Sequence, residues 1–262
     1  MSEALFFRTG DGCRIAYRFD GRADKPVLLL SNSLGTTMGM WDAQVAALSD
    51  HFRILRYDSR GHGMSDAPPG AYSMDRLGRD VIELMDALAL SRVHFCGLSK
   101  GGMVGQWLGV YAPERIAQLI LCNTSSYMGP PLSWDTRIET VRTEGMTAVA
   151  QAVVTRWFTA AFQAAVPTEV ERIKAMLLQT NQQGYAGCCV AIRDMDMRKL
   201  APLIALPVLI IAGDDDPATP LEHSKQLASA IVGAQLKILQ AAHLSNVEQP
   251  EAFTQALLAF AA

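Results

Sequence analysis

The stretch Val93-His94-Phe95-Cys96-Gly97-Leu98-Ser99-Lys100-Gly101-Gly102-Met103-Val104 decides how this chain folds. Its opening residues form a short apolar run that reads as a buried strand, and residues 101–111 continue as an apolar helix. Between them Gly97-Leu98-Ser99-Lys100-Gly101 must turn strand into helix. A serine on so sharp a turn holds a strained backbone, and side chains two residues before and after it would collide, which accounts for Gly97 and Gly101. The turn projects the hydroxyl outward. It also puts the Lys100 N–H at a helix N-terminus, where unpaired amides and the helix dipole stabilise an oxyanion.

Two bland readings compete with a nucleophilic Ser99: a glycine-rich turn that only lets a helix pack closely, and a dinucleotide-binding turn. The second fails, because Ser99 occupies the place of the second glycine and no acidic residue follows a second strand at the required distance. The five-residue pattern also arises by chance, so its placement between strand and helix carries the weight.

Outward from this turn, short strand-like runs at 4–8, 13–20, 26–32, 52–58, 93–98, 116–123, 207–212 and 235–239 alternate with segments of helical period. The first two are too close for a crossover helix and read as an antiparallel hairpin; from Pro26 onward parallel, buried strands are expected. Met74, Leu77, Val81, Met85 and Leu88 give one helix its apolar face, with Ser73 as N-cap. Further helices are expected at 41–48, 101–111, 221–231 and 251–260. The alternation stops between 125 and 201, where helices at 146–158, 168–178 and 185–195 follow without a strand. The expected fold is therefore α/β: a mostly parallel eight-stranded sheet flanked by helices, with core segments 1–124 and 202–262 and an inserted helical cap, 125–201, over the strand ends.

The 262 residues include 50% hydrophobic and 19% charged side chains, the balance of a folded domain, and the formal net charge of −3 gives no general attraction to nucleic acid or anionic membrane. Residues 1–10 lack a basic stretch followed by an apolar run, and no segment approaches about 18 uncharged apolar residues. Five cysteines, odd in number and without CxxC spacing, argue against a disulfide framework or a zinc site. The expectation is a cytoplasmic, reduced, soluble protein with no nucleic-acid or membrane partner.

A serine hydroxyl needs a histidine to accept its proton and a carboxylate to orient that histidine, here in the order Ser, acid, His. Among His51, His62, His94, His223 and His243, only the last two follow the nucleophile and a suitable acid. His243 comes just after the strand at 235–239, at its carboxyl end; His223 sits in a helical pattern and reads as a solvated surface residue. His94 reads as a strand residue against a helix, and His51 as a loop residue. The strand at 207–212 runs into Gly213-Asp214-Asp215-Asp216-Pro217. Three adjacent carboxylates cannot all be buried and charged, so one turns inward, and spacing favours Asp216. A calcium or magnesium loop is the competing reading, but no regularly alternating oxygen ligands follow. The second oxyanion donor is expected from Ser31-Asn32-Ser33-Leu34-Gly35, as the N–H of Leu34.

With these motifs the chain resembles the α/β-hydrolase superfamily, and within it the bacterial 3-oxoadipate enol-lactonases of aromatic-compound catabolism. The resemblance covers nearly the whole chain and rests on five segments. Three are Asn32-Ser33-Leu34-Gly35-Thr36, Gly97 to Gly102, and Tyr57-Asp58-Ser59-Arg60-Gly61-His62-Gly63-Met64-Ser65. The others are Ile192-Arg193-Asp194-Met195-Asp196 and Ala241 to Pro250. Many hydrolases of the superfamily have His-Gly where Asn32-Ser33 stands here, as it does in the enol-lactonase group. The segment around His62 is a structural loop in the superfamily, so His62 takes no catalytic role from the resemblance. Lys100 departs from the family, which usually has an apolar residue there; its side chain either attracts an anionic substrate or points to solvent.

The resemblance implies a carboxylic-ester hydrolase that needs no metal and no organic cofactor and opens a small anionic molecule, 3-oxoadipate enol-lactone, through a Ser99–His243–Asp216 triad and an acyl-enzyme. The substrate's free carboxylate needs a cation, for which Arg137 is the candidate, with Trp134 as a wall and Arg142 and Arg193 as rivals. Other readings on the same scaffold are a general carboxylesterase, a perhydrolase, a carbon–carbon bond hydrolase, or a receptor that keeps the triad but only binds a small molecule. Dehalogenase and epoxide hydrolase chemistry is disfavoured, since relatives that perform it carry aspartate where Ser99 stands.

Overall fold

The computed structural model describes residues 4–261. Residues 1–3, which belong to the expected core segment and to the stretch read for a leader, and residue 262 lie outside the described residues.

Eight strands form one sheet in the order β1-β2-β4-β3-β5-β6-β7-β8. They are β1 (Leu5–Arg8), β2 (Arg14–Asp20), β3 (Val27–Ser31), β4 (Arg53–Tyr57), β5 (Val93–Leu98), β6 (Ile116–Cys122), β7 (Val208–Gly213) and β8 (Gln235–Leu239). As the short intervening turn predicts, β1 and β2 pair antiparallel, Leu5 opposite Tyr17, and β2 pairs antiparallel with β4; every later pairing is parallel. The continuous apolar run of β7, and those of β5 and β6 beyond His94 and Gln118 near their starts, suit strands covered on both faces. β8 departs from the expectation of burial. It is the last strand of the sheet, so four of its five residues are exposed and only Leu239 is buried.

The flanking helices are α1 (Asp42–Leu48), α2 (Met74–Ala87), α3 (Lys100–Tyr111), α9 (Leu221–Ala230), α10 (Ser245–Glu248) and α11 (Pro250–Ala261). Helix α3 packs on β5 and β6 and carries α2, while α1 packs with α11. Ser73 caps α2, its hydroxyl accepting the Arg76 N–H at 3.1 Å.

Between β6 and β7 the chain forms α4 (Pro131–Glu144), α5 (Met146–Trp157), α6 (Ala160–Ala165), α7 (Pro167–Gln179) and α8 (Gln182–Asp194). α4 and α6 add to the three helices the sequence pattern predicts there. α4 packs against α8 and α5, and α7 against α5 and α6. The entry and exit of this block are tied by the Tyr127–Asp196 bridge and by the Met197 N–H, which donates to the Ser126 carbonyl at 2.7 Å.

Register decides what the strand ends present. Ser31 lies opposite Gly97, Leu98 opposite Cys122, Cys122 opposite Ile211, and Gly213 opposite Leu239. The loops leaving β3, β5, β6, β7 and β8 therefore emerge along one rim, and they carry Leu34, Ser99, Asn123, Asp216 and His243.

Candidate active site

Ser99 sits between β5 and α3 with φ 57° and ψ −115°, a region costly for a side-chain-bearing residue. Three hydrogen bonds hold it there. Its N–H donates to Cys122 O at 2.8 Å, and its carbonyl accepts the Thr124 hydroxyl at 2.8 Å and the Met103 N–H at 3.0 Å. A Cβ on Gly97 would overlap the Gly101 carbonyl, and one on Gly101 would overlap the Ser31 carbonyl of β3. Both glycines are therefore demanded by close backbone approach, the second through the neighbouring strand.

His243 follows β8 and is 3% exposed. The Ala242 N–H donates to Glu248 at 3.0 Å, and the Ala241 N–H donates to Asp214 Oδ1 at 3.1 Å. His243 Nδ1 lies 2.8 Å from Asp216 Oδ2. Asp216 is buried whereas Asp214 and Asp215 are exposed. Its Oδ1 accepts the N–H groups of Ala218 (2.8 Å) and Thr219 (2.9 Å), and its Oδ2 accepts the Thr219 hydroxyl (2.8 Å) and Asn123 Nδ2 (3.0 Å). Burial pushes this carboxyl's pKa up. His243 and the Asn123 and Thr219 donors outweigh burial and hold it below the usual range.

Ser99, His243, Leu34, Trp134 and Arg137 all line one cavity of about 240 Å³; Asp216 stands behind His243 and does not. Lys100 is the first residue of α3, where a helix amide has no acceptor in its own helix, while its side chain turns away from the cavity. That side chain is fully buried, and its Nζ donates to Ser59 Oγ at 2.7 Å. Both readings of it, attraction of substrate and exposure to solvent, are thereby corrected.

The cavity also contains groups the sequence pattern does not single out. Arg156 joins Arg137 in its wall, and its pKa is lowered, first by burial and then by the charge of Arg137. Arg137 stacks over the Trp134 ring at 4.7 Å. Among the described residues neither arginine pairs with a carboxylate. The rival Arg193 is instead occupied by Asp135 and Asp194, each at 2.7 Å, and Arg142 is not in the cavity wall. His223 is half-buried and lines the cavity, correcting its reading as a solvated residue. Asn123, with φ 43°, bridges the acid and histidine loops: Nδ2 donates to Asp216 and to Ala242 O (3.1 Å), and Oδ1 accepts the Ser245 hydroxyl at 2.5 Å. Asparagine is among the few residues that adopt this conformation readily, but its residue type alone does not reveal the two loops it joins. His94 contacts the Phe52 ring at 5.4 Å and lies away from the site.

Comparison with known proteins places this geometry in context. Residues 26–250 match the family model described as the alpha/beta hydrolase fold. The chain is 43% identical to 3-oxoadipate enol-lactonase 2 of Acinetobacter baylyi over 95% of its own length and 93% of the relative's. The crystal structure of the enol-lactonase from Burkholderia xenovorans superposes with a TM-score of 0.96 at 44% identity, covering 98% of this chain and 99% of that one. The crystal structure of a hydrolase from Pseudomonas aeruginosa also gives 0.96, at 51% identity over 98% and 97%.

Proposed function

The chain belongs to the α/β-hydrolase family, in its 3-oxoadipate enol-lactonase branch, and we propose that it opens 3-oxoadipate enol-lactone to 3-oxoadipate with Ser99, His243 and Asp216 as the reacting set. The observation that carries the chemical roles is the five-donor cage around Asp216 with His243 Nδ1 at 2.8 Å, beside a cavity that His243 shares with Ser99.

In this reading Asp216 holds the Nδ1–H tautomer of His243, which leaves Nε2 free to accept a proton. Ser99 Oγ attacks the ring ester carbonyl as that proton moves to Nε2. The N–H groups of Leu34 and Lys100 stabilise the oxyanion. The ring C–O bond then breaks, and the departing enol, still attached to the acyl group through the carbon chain, takes the proton from His243 and tautomerises to the ketone. Water deprotonated by His243 attacks the acyl-enzyme and restores Ser99.

The free carboxylate of the lactone is received by Arg137 and Arg156. Two guanidinium groups facing one cavity without an acidic partner repel each other, and an anion between them relieves that repulsion. Trp134 forms the wall beneath Arg137. Residues 125–201 act as a cap in this reading, which the side chains of α4, α5 and α8 support by lining the cavity together with Ser99 and His243. We further read the enzyme as cytoplasmic, a compartment that suits its five buried thiols. Among the described residues no helix is long and apolar enough to cross a membrane.

The test is turnover of the enol-lactone beside p-nitrophenyl acetate. A kcat/KM for the lactone at least 100-fold higher supports the assignment; equal values would reduce it to a general esterase.

A further inference from the structure

Lys100 is a fully buried cation whose ammonium has a single hydroxyl, Ser59 Oγ at 2.7 Å, as its hydrogen-bond partner among the described residues. Burying an ammonium is unfavourable unless it is well paired, so this arrangement weakens the fold at the very residue that offers an oxyanion N–H. Ser59 belongs to the loop between β4 and α2, and three residues along that loop stands His62, 1% exposed. His62 Nε2 accepts the Gly35 N–H at 2.9 Å, and Nδ1 faces the Arg60 carbonyl at 3.2 Å. Accepting at Nε2 fixes the proton on Nδ1, which donates to Arg60 O. Gly35 immediately follows Leu34, the other oxyanion donor. One loop thus grips both halves of the oxyanion site from behind.

The loop is itself stiff. Asp58 Oδ1 accepts the Met38 N–H at 2.7 Å and Oδ2 the Met64 N–H at 3.0 Å, the Ser65 hydroxyl donates to Asp58 O at 2.6 Å, and the Gly61 N–H donates to Asp66 O at 2.8 Å. The Asp58 carboxylate is thus committed to two main-chain amides. Burial first, and then the charge of Lys100, lowers the His62 pKa to about 3, which preserves Nε2 as an acceptor.

We infer that Lys100 and His62 are positioning residues that set the separation between the oxyanion N–H groups of Lys100 and Leu34, the Lys100 side chain by anchoring on Ser59 and His62 by holding the Gly35 N–H. This rests on the oxyanion assignment above. Oxyanion donors act within a window of about 2.7–3.1 Å, so a small change in separation is felt in the transition state and hardly in substrate binding. A cation retained for this purpose is one the fold does better without.

The experiment compares Lys100→Met, His62→Leu and His62→Gln with the parent enzyme. Turnover of p-nitrophenyl acetate is expressed per Ser99 titrated with a fluorophosphonate. Phenylboronic acid, a tetrahedral adduct former, and adipate, a ground-state ligand, are measured beside it. Lys100→Met is expected to lower kcat about tenfold with KM within twofold and to weaken phenylboronic acid by the same factor, leaving adipate unchanged and the melting temperature equal or higher. His62→Leu should behave likewise in kcat. His62→Gln, whose Oε1 can accept the Gly35 N–H, should recover most of the loss. Parent values of kcat and phenylboronic acid affinity in Lys100→Met overturn the brace, as does a His62→Gln no faster than His62→Leu. Should His62→Leu not fold, Lys100→Met decides alone. Turnover that survives Ser99→Ala overturns the site reading instead, a result the other variants do not mimic.

Discussion

Asp216 and His243 meet at 2.8 Å inside a shell where, among the described residues, every other hydrogen bond to the carboxylate comes from Asn123, Ala218 or Thr219. Replacing Asp216 with Asn keeps the shape but removes the charge that selects the His243 tautomer. A fall in kcat of about 10³–10⁴ with little change in KM is expected. Steady-state kinetics on the lactone and on p-nitrophenyl acetate should show the same factor, because the lost step is common to both.

The same carboxyl carries a pH signature in stability. Its folded-state pKa is depressed, so its contribution is complete above the unfolded value of about 3.9 and disappears as pH falls through the folded value. Asp216→Asn should therefore be less stable than the parent at pH 7, with the gap narrowing below about pH 4. Urea midpoints at pH 7 and pH 3 measure it; a gap of constant size contradicts the argument.

Arg156 offers a separate test of substrate recognition. Arg156→Gln removes one charge-assisted contact, and KM for the lactone should rise about 10- to 100-fold. p-Nitrophenyl acetate, which carries no carboxylate, should stay within about twofold. Equal losses on both substrates would mean that Arg156 shapes the cavity and does not read the anion.

The Ser99 backbone predicts an ordering of inactive variants. Its φ 57°, ψ −115° is the mirror image of an extended conformation open to any residue, and only glycine reaches it without strain. Ser99→Gly and Ser99→Ala should both be inactive, with the glycine variant the more stable by about 1 kcal/mol after its greater unfolded-state freedom is counted. Thermal or urea unfolding decides.

Arg60 and Asp80 form a bidentate pair, 2.6 and 2.7 Å, with both side chains 3% exposed. Asp80→Ala leaves a buried guanidinium with only the partly exposed Asp11 as its carboxylate partner, and a loss of about 3–5 kcal/mol in unfolding free energy is expected. Urea unfolding of the variant beside the parent measures it.

Much of the fold is legible in the sequence because strands covered on both faces are mainly apolar runs, as in β5 to β7, and the Gly97–Gly101 turn admits few alternatives. The helix Pro131–Glu144 escapes because only Trp134, Ile138 and Val141 are buried, leaving its exposed faces without pattern. Candidate site residues close to a strand end, such as Ser99 and His243, are readable from local order alone. Asn123, Arg156 and His223 are not, since each acquires its neighbours only when distant strands and the helical block come together. Lys100 shows the limit most clearly: its backbone place follows from the turn, while its side chain's direction depends on a loop some forty residues earlier.

That loop has a second neighbour. A Cβ on Gly61 would overlap the Gly184 backbone of α8, and one on Gly184 would overlap Gly61. Backbone meets backbone here, with both residues already at the smallest size the genetic code offers. Enlargement at one position therefore has no compensating reduction at the other, and this point of the joint between core and helical block admits glycine alone on both sides. The cavity-facing sides of α4 and α5, where Arg137 and Arg156 stand, lie outside that seam, so a changed side chain there reshapes the cavity without parting the two halves of the molecule.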